Sequence, residues 1–467
     1  MTKSETMANG DAVWLGMEDP TNLMMVAGVM TFASPLDMAH LHAILSHRWL
    51  KFDRFRQRVV SPRLPLGSYG WEEDPTFDLN AHLHHVALPG SGDKATLQAM
   101  VGDLLSTPLD FSKPLWQLHI IDNYKGGTAV FFRIHHAIAD GLSLAAVLLS
   151  LTDLTELAPW PEPEPAKAQQ PPSGGVMGMW MRQAKGALNT AVHLSSRLFE
   201  EGRETLVNPA RVRELAQQGA GSAQTALRMA LRSPDPDTLF RGALGVRKAV
   251  AWSNPLPLAD IKAIKTVMGG GVNDVVITAV AGGLRRYLLG KGQPVGGLSF
   301  RVALPVNIRS KEEMLTLGNK FGLVFLDLPV GEADVVERLA VARERLAVLK
   351  QSPEAVLSFG MLQAVGLTPA EMQAQMAKMW GGQITAVLTN LPGPPIPLYL
   401  AGQAIDHIMV WEPQLGRTGL SLSILSYAGQ VYIGITTDAG LVPDPDLILD
   451  GVYAEYEEMM ALAAQAG

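Results

Sequence analysis

The chain contains no cysteine among its 467 residues. That absence removes disulfides, thiol nucleophiles, iron–sulfur clusters and cysteine-ligated zinc together. Charge is sparse as well: Asp, Glu, Lys and Arg make up 18% of the chain, against roughly 25% in an ordinary soluble domain. With 38 Lys and Arg against 45 Asp and Glu, the net charge is −7. No basic run offers the phosphate-neutralising face that DNA or RNA needs, so no nucleic-acid partner is expected. Long apolar runs are also missing. None approaches the ~20 residues of a membrane-crossing helix, and Met1 to Gly16 lack the basic-then-apolar order of a secretory leader. A cytoplasmic location is the expectation.

What is present is apolar. Hydrophobic residues reach 47% and the mean hydropathy is +0.13. Either a large core hides these side chains or part of the surface faces something greasy. At roughly 100–200 residues per domain the length predicts two or three domains. Composition divides the chain into an α/β region over residues 1–157, a Pro-rich linker and helical connector over 158–239, and a second α/β region over 240–467. Pro159, Pro161, Pro163, Pro165, Pro171 and Pro172, then Ser173-Gly174-Gly175, cannot supply a backbone ladder and read as a semi-rigid spacer. The Met-rich segment Val176 to Glu204 fits either a helix packed across two domains or one lying on a membrane surface.

Periodicity in the first region predicts a strand over Met25–Phe32, helices over Leu36–Lys51 and Lys94–Leu105, and strands over Pro114–Asp122 and Thr128–Ile134 around a Lys125-Gly126-Gly127 turn. In the second, Asn273 is expected to cap a helix ending at Gly290. Strands at Leu298–Val306 and Gly322–Leu328, a helix at Glu332–Lys350 and a strand at Ile384–Thr389 follow. A hairpin of Leu420–Tyr427 with Val431–Thr437 and a final helix from Pro445 complete the pattern. A site between two such halves is the natural expectation.

The chemistry-bearing stretch is TAVFFRIHHAIADGLSLAAVLLSL, Thr128 to Leu151. An apolar strand arrives at two adjacent histidines, a short turn holds Asp140 and Gly141, and an apolar helix begins. Neighbours on an extended chain point to opposite faces, so His135 and His136 cannot serve one cavity alike. One can act as a general base near neutral pH while the other holds the turn, although paired histidines are more often structural than catalytic. Without a Ser or Cys nucleophile beside them, the base would deprotonate a substrate hydroxyl or amine directly. His82, His84 and His85 lie on a strand-like segment where only His82 and His84 share a face, with no third ligand, so no metal is expected. No Walker loop, dinucleotide fingerprint or nucleophile elbow occurs.

His135-His136-Ala137-Ile138-Ala139-Asp140-Gly141 resembles the HHxxxDG signature of the acyl-CoA-dependent acyltransferase superfamily. Pro114-Leu115-Trp116, Asn273-Asp274-Val275, Pro305-Val306-Asn307-Ile308-Arg309, Gly318-Asn319 and Asn390-Leu391-Pro392-Gly393-Pro394 resemble, in order, motifs of the bacterial wax ester synthase/diacylglycerol acyltransferase family. The opening from Trp14 to Gly28 is similar too, with Met24-Met25 where that family usually has Met-His.

The resemblance implies an α/β fold of two chloramphenicol acetyltransferase-like lobes with a tunnel between them. It implies acyl transfer from acyl-CoA, a co-substrate, to a long-chain alcohol or diacylglycerol, with no metal or redox cofactor. His136 would be the general base, His135 its support, and Asp140 a structural partner of Arg309. Gly141, Asn273, Asp274 and Asn390 would shape the site or touch substrate, and Pro114, Leu115 and Trp116 would pack behind the histidine strand. A membrane or lipid-droplet surface is a place where such a protein could dock, and the oligomeric state is left open. A polar or carrier-bound acceptor, a non-catalytic lipid-binding protein and, last, a hydrolase are the alternatives.

Overall fold

The structure, a computed structural model, describes residues 4–61, 68–161, 229, 232–309 and 316–466. The Val176–Glu204 segment and most of the Pro-rich spacer fall outside the described residues.

Helix α1 (Asn9–Met17) precedes strand β1 (Met25–Phe32), which is buried along its whole length. Asp37 starts helix α2 (Met38–His47) by accepting from Ala39 N and His40 N, the expected use of a short carboxylate at a helix start. The helix stops before the predicted Lys51, and Trp49–Lys51 tightens into a 3-10 turn. The cause is the Trp49 ring, which turns into the core against Phe55 at 4.1 Å and Trp116 at 5.3 Å. Strand β2 (Leu83–Ala87), helix α3 (Lys94–Leu105), and strands β3 (Trp116–Tyr124) and β4 (Gly127–His135) follow, then helix α4 (Gly141–Leu151).

Beyond the spacer come strand β5 (Lys248–Trp252), helices α5 (Leu258–Met268) and α6 (Val272–Gly290), and strands β6 (Phe300–Asn307) and β7 (Phe321–Leu328). Helices α7 (Val335–Leu349), α8 (Glu354–Val365) and α9 (Ala370–Gly381) lead to strands β8 (Ala386–Pro392), β9 (His407–Trp411), β10 (Leu420–Tyr427) and β11 (Gln430–Asp438) and to helix α10 (Asp446–Ala466). Asn273 does not cap α6. Gly269 and Gly270 turn the chain at φ 81° and 95°, so the helix opens one residue earlier, with Gly271 at the cap. Gly271 has no side chain to close that end, and the Asp274 carboxylate does so, accepting from Gly271 N at 2.7 Å.

Two sheets organise the molecule. The first runs β9-β1-β4-β3-β2 and the second β7-β6-β8-β10-β11-β5. Strand β9 comes from the far side of the spacer, yet it pairs antiparallel with β1 from His407 opposite Thr31 to Trp411 opposite Ala27. It packs on the second sheet too, where Ser423 Oγ donates to Val410 O at 2.5 Å. Among the described residues no single helix is long and apolar enough to cross a membrane; α5 and α6 reach that length only as a pair bent by 96°. The apolar face of α6, from Val275 to Leu288, is buried in the second core instead.

Candidate active site

Strand β4 ends at His135, and the next residue is pinned at once: His136 N donates to Met24 O at 2.8 Å. Both histidines are buried, and they diverge as the extended chain requires. His135 serves the turn. Its Nδ1 accepts from Ala137 N at 3.1 Å, which leaves the proton on Nε2, 3.4 Å from Glu18 Oε2. His136 points elsewhere, its ring stacked on Trp14 at 3.8 Å and tilted against Phe321 at 5.8 Å.

Asn319 determines which nitrogen of His136 carries the proton. Its Nδ2 donates to Asp11 Oδ1 at 2.9 Å and to His136 O at 2.8 Å. Those two acceptors fix the amide's orientation, so Oδ1 must accept from His136 Nδ1–H at 2.8 Å. The Nε2 lone pair is then the basic position. Burial raises the Asp11 carboxyl above the ordinary carboxylate range, and the Asn319 N–H donors work against that rise. Beyond Nε2 stands Glu412, mostly buried at 7% exposure, with Oε2 3.4 Å away.

Asp140 faces away from this base. Its carboxylate caps α4 by accepting from Ser143 N at 3.0 Å, accepts from Lys320 N at 2.9 Å and pairs with Arg309. Arg309 also donates to Gly318 O. The arrangement joins the β4–α4 turn to the segment between β6 and β7, and that segment delivers Asn319 to His136. Gly141 opens α4 beside Glu412: a Cβ there would lie 2.7 Å from Glu412 Oε1.

The other residues singled out in the sequence are placed around this centre. Leu115 O accepts from His135 N at 2.9 Å, and Trp116 Nε1 donates to Phe55 O at 2.9 Å, so Pro114, Leu115 and Trp116 pack behind the histidines. Asn390 Nδ2 donates to Asn273 Oδ1 at 2.8 Å, tying the first turn of α6 to β8. The three earlier histidines go separate ways, because β2 begins only at Leu83. His82 bonds Trp116 O at 2.8 Å, His84 stacks on His119 and His85 meets Asp122 at 2.6 Å. Among the described residues no group of three or more His, Asp or Glu side chains could hold a metal ion.

Sequence reasoning missed Asp11, Glu18 and Glu412, and gave no role to Trp14 or Asn319. Asp11 and Trp14 were within reach, since a spacing of three puts both on one face of a helix. Glu412 carries no local signal at all.

The catalytic-domain model of the wax ester synthase/diacylglycerol acyltransferase family matches residues 7–276, and that family's C-terminal domain matches 317–460. The chain belongs to this family. A Mycobacterium tuberculosis protein named as a diacylglycerol O-acyltransferase is 27% identical over 98% of this chain and 90% of its own length. A second from the same species is 24% identical over 97% of this chain and 95% of its own. In fold, the chain matches the wax ester synthase/diacylglycerol acyltransferase of Marinobacter aquaeolei VT8 with a TM-score of 0.69 at 21% identity, over 98% of this chain and all of that one. The first condensation domain of the calcium-dependent antibiotic synthetase matches at a TM-score of 0.61 and 16% identity, over 99% of this chain and 97% of that one. The two-lobed α/β architecture of this acyltransferase is therefore that of its family.

Proposed function

We propose that the protein transfers a long-chain acyl group from acyl-CoA to the hydroxyl of a long-chain alcohol or diacylglycerol, giving a wax ester or triacylglycerol and free CoA. The observation that carries the reading is the tautomer of His136, whose Nδ1 proton is held by Asn319 while Nε2 keeps its lone pair. The acceptor's O–H proton passes to Nε2 as its oxygen bonds to the thioester carbon. The C–S bond breaks, and the departing CoA sulfur takes the proton from the imidazolium, which restores the base. Such a base contributes about 10²–10⁴-fold in rate. A thioester is already activated toward attack, so this chemistry calls on no metal or redox cofactor, only on acyl-CoA as co-substrate. The names of the mycobacterial relatives support the acceptor class. A lipophilic acceptor also favours work in the cytoplasm at a membrane or lipid-droplet surface.

One labelled acyl-CoA offered with long-chain alcohol, diacylglycerol and short polar alcohols, with products separated by lipid class, tests the proposal. Labelled wax ester or triacylglycerol is the expected product. Turnover with polar acceptors alone would overturn it.

A further inference from the structure

Glu412 is a costly residue where it stands. Carboxylates are seldom buried without compensation, yet among the described residues its one charged partner is His136, through Nε2 at 3.4 Å. That nitrogen holds a lone pair, because Asn319 fixes the proton on Nδ1. Two hydrogen-bond acceptors thus face each other at the place where a nucleophile must enter. An alcohol has one O–H and can satisfy only one of them. A group with two donor hydrogens satisfies both.

The cavity beside Glu412 has the same character. It lies between the two sheets, lined by Leu23 and Met25 from one side and by Lys248, Gln414 and Thr436 from the other. Gln414 and Thr436 are 4% and 6% exposed. Both amide atoms of Gln414 and the hydroxyl of Thr436 lack a hydrogen-bond partner among the described residues. A plain hydrocarbon chain would leave all of these groups unpaired, whereas a polar head would engage them.

We infer that Glu412 selects acceptors presenting two donor hydrogens at the reacting end, either the 1,2-diol of a monoacylglycerol or a primary amine. This rests on His136 as the general base. In the diol, one hydroxyl donates to Nε2 and attacks the thioester carbon while its neighbour donates to Glu412. In the amine, one N–H proton goes to Nε2 as nitrogen bonds to the carbon, and the other N–H stays on the amide product, bonded to Glu412. CoA leaves in both cases with the proton returned from His136.

The test compares kcat/KM for a long-chain alcohol, a 1-monoacylglycerol and a long-chain primary amine, using the full chain and its Glu412→Gln and Glu412→Ala variants. The isosteric Glu412→Gln guards against a folding defect, and thermal midpoints check it. In Glu412→Ala the ratio of monoacylglycerol or amine turnover to alcohol turnover should fall about 10- to 100-fold, the loss of one hydrogen bond to a charged group. Whichever acceptor shows the fall identifies the source. Equal losses for all three, or none for any, overturn the inference while leaving acyl transfer standing. No turnover with any acceptor overturns the acyl-transfer reading itself, and this inference with it.

Discussion

A histidine works as a base only when one ring nitrogen keeps its proton and the other its lone pair. Here an amide makes that choice, since Asn319 is oriented by Asp11 on one side and bonded to His136 on the other. Replacing His136 with Ala should lower kcat by about 10²–10⁴-fold. The thermal midpoint should stay close to wild type, because the ring's main contacts are the Trp14 stack and one amide. Ester synthesis at the wild-type rate would sink the mechanism. Asn319→Leu should lower kcat less than His136→Ala and leave KM for acyl-CoA nearly unchanged, since the change acts on the tautomer and not on binding. A rise in KM with kcat intact would place Asn319 in substrate binding instead. The histidine pair was legible in the sequence because its motif is contiguous. Asp11, Asn319 and Glu412 are brought to it from distant segments, and no spacing rule encodes such a meeting.

At the scale of elements, helix α4 begins on a residue that serves three partners. Asp140 caps the helix, pairs with Arg309 and receives Lys320 N. Both members of the ion pair are nearly inaccessible, with side-chain exposures of 4% and 3%. Removing one partner of a buried pair strands the other charge and costs about 3–5 kcal/mol. Asp140→Ala should therefore lose activity together with folded protein, seen as a lower midpoint in chemical denaturation. Asp140→Asn retains a competent helix cap and should fall between that variant and wild type. Equal destabilisation by both substitutions would mean that the charge, and not the cap, carries the effect.

Strand β9 shows a different vulnerability. Burial, with a smaller contribution from the Lys94 charge, pushes the His407 imidazole down to about 3, and its ring lies 4.3 Å from that of Tyr432. An unfolded chain takes up the proton near pH 6.5, whereas the folded one refuses it until far lower pH. Stability is therefore full above about pH 6.5 and falls below it, by up to ~1.4 kcal/mol per pH unit for this group. His119, also lowered to about 3, adds in the same direction. Denaturant midpoints between pH 7 and 5 should slope less in His407→Gln than in wild type; parallel curves would remove His407 from the account.

Across the whole molecule, the linear order of the chain and its spatial order diverge at β9. The α/β alternation and most strand bounds were legible because hydrophobic period reports which face of an element is buried. It does not report which sheet a strand will join, so β9 gave no warning that it completes the sheet begun by β1. The site is divided in the same way, with His136 and Asp140 before the spacer and Arg309, Asn319 and Glu412 after it. Sparse charge takes on a meaning here, since buried apolar walls on both lobes face each other as well as their own cores. Residues 1–161 expressed alone would leave the wholly apolar edge of β1 without its partner strand, the arrangement that invites edge-to-edge aggregation. They should be insoluble by themselves, and co-expression with residues 232–467 should recover soluble protein and part of the acyl transfer. A soluble, well-folded 1–161 fragment would show that β9 is an accessory to the first sheet, and that the lobes meet only to assemble the base with its amide partner.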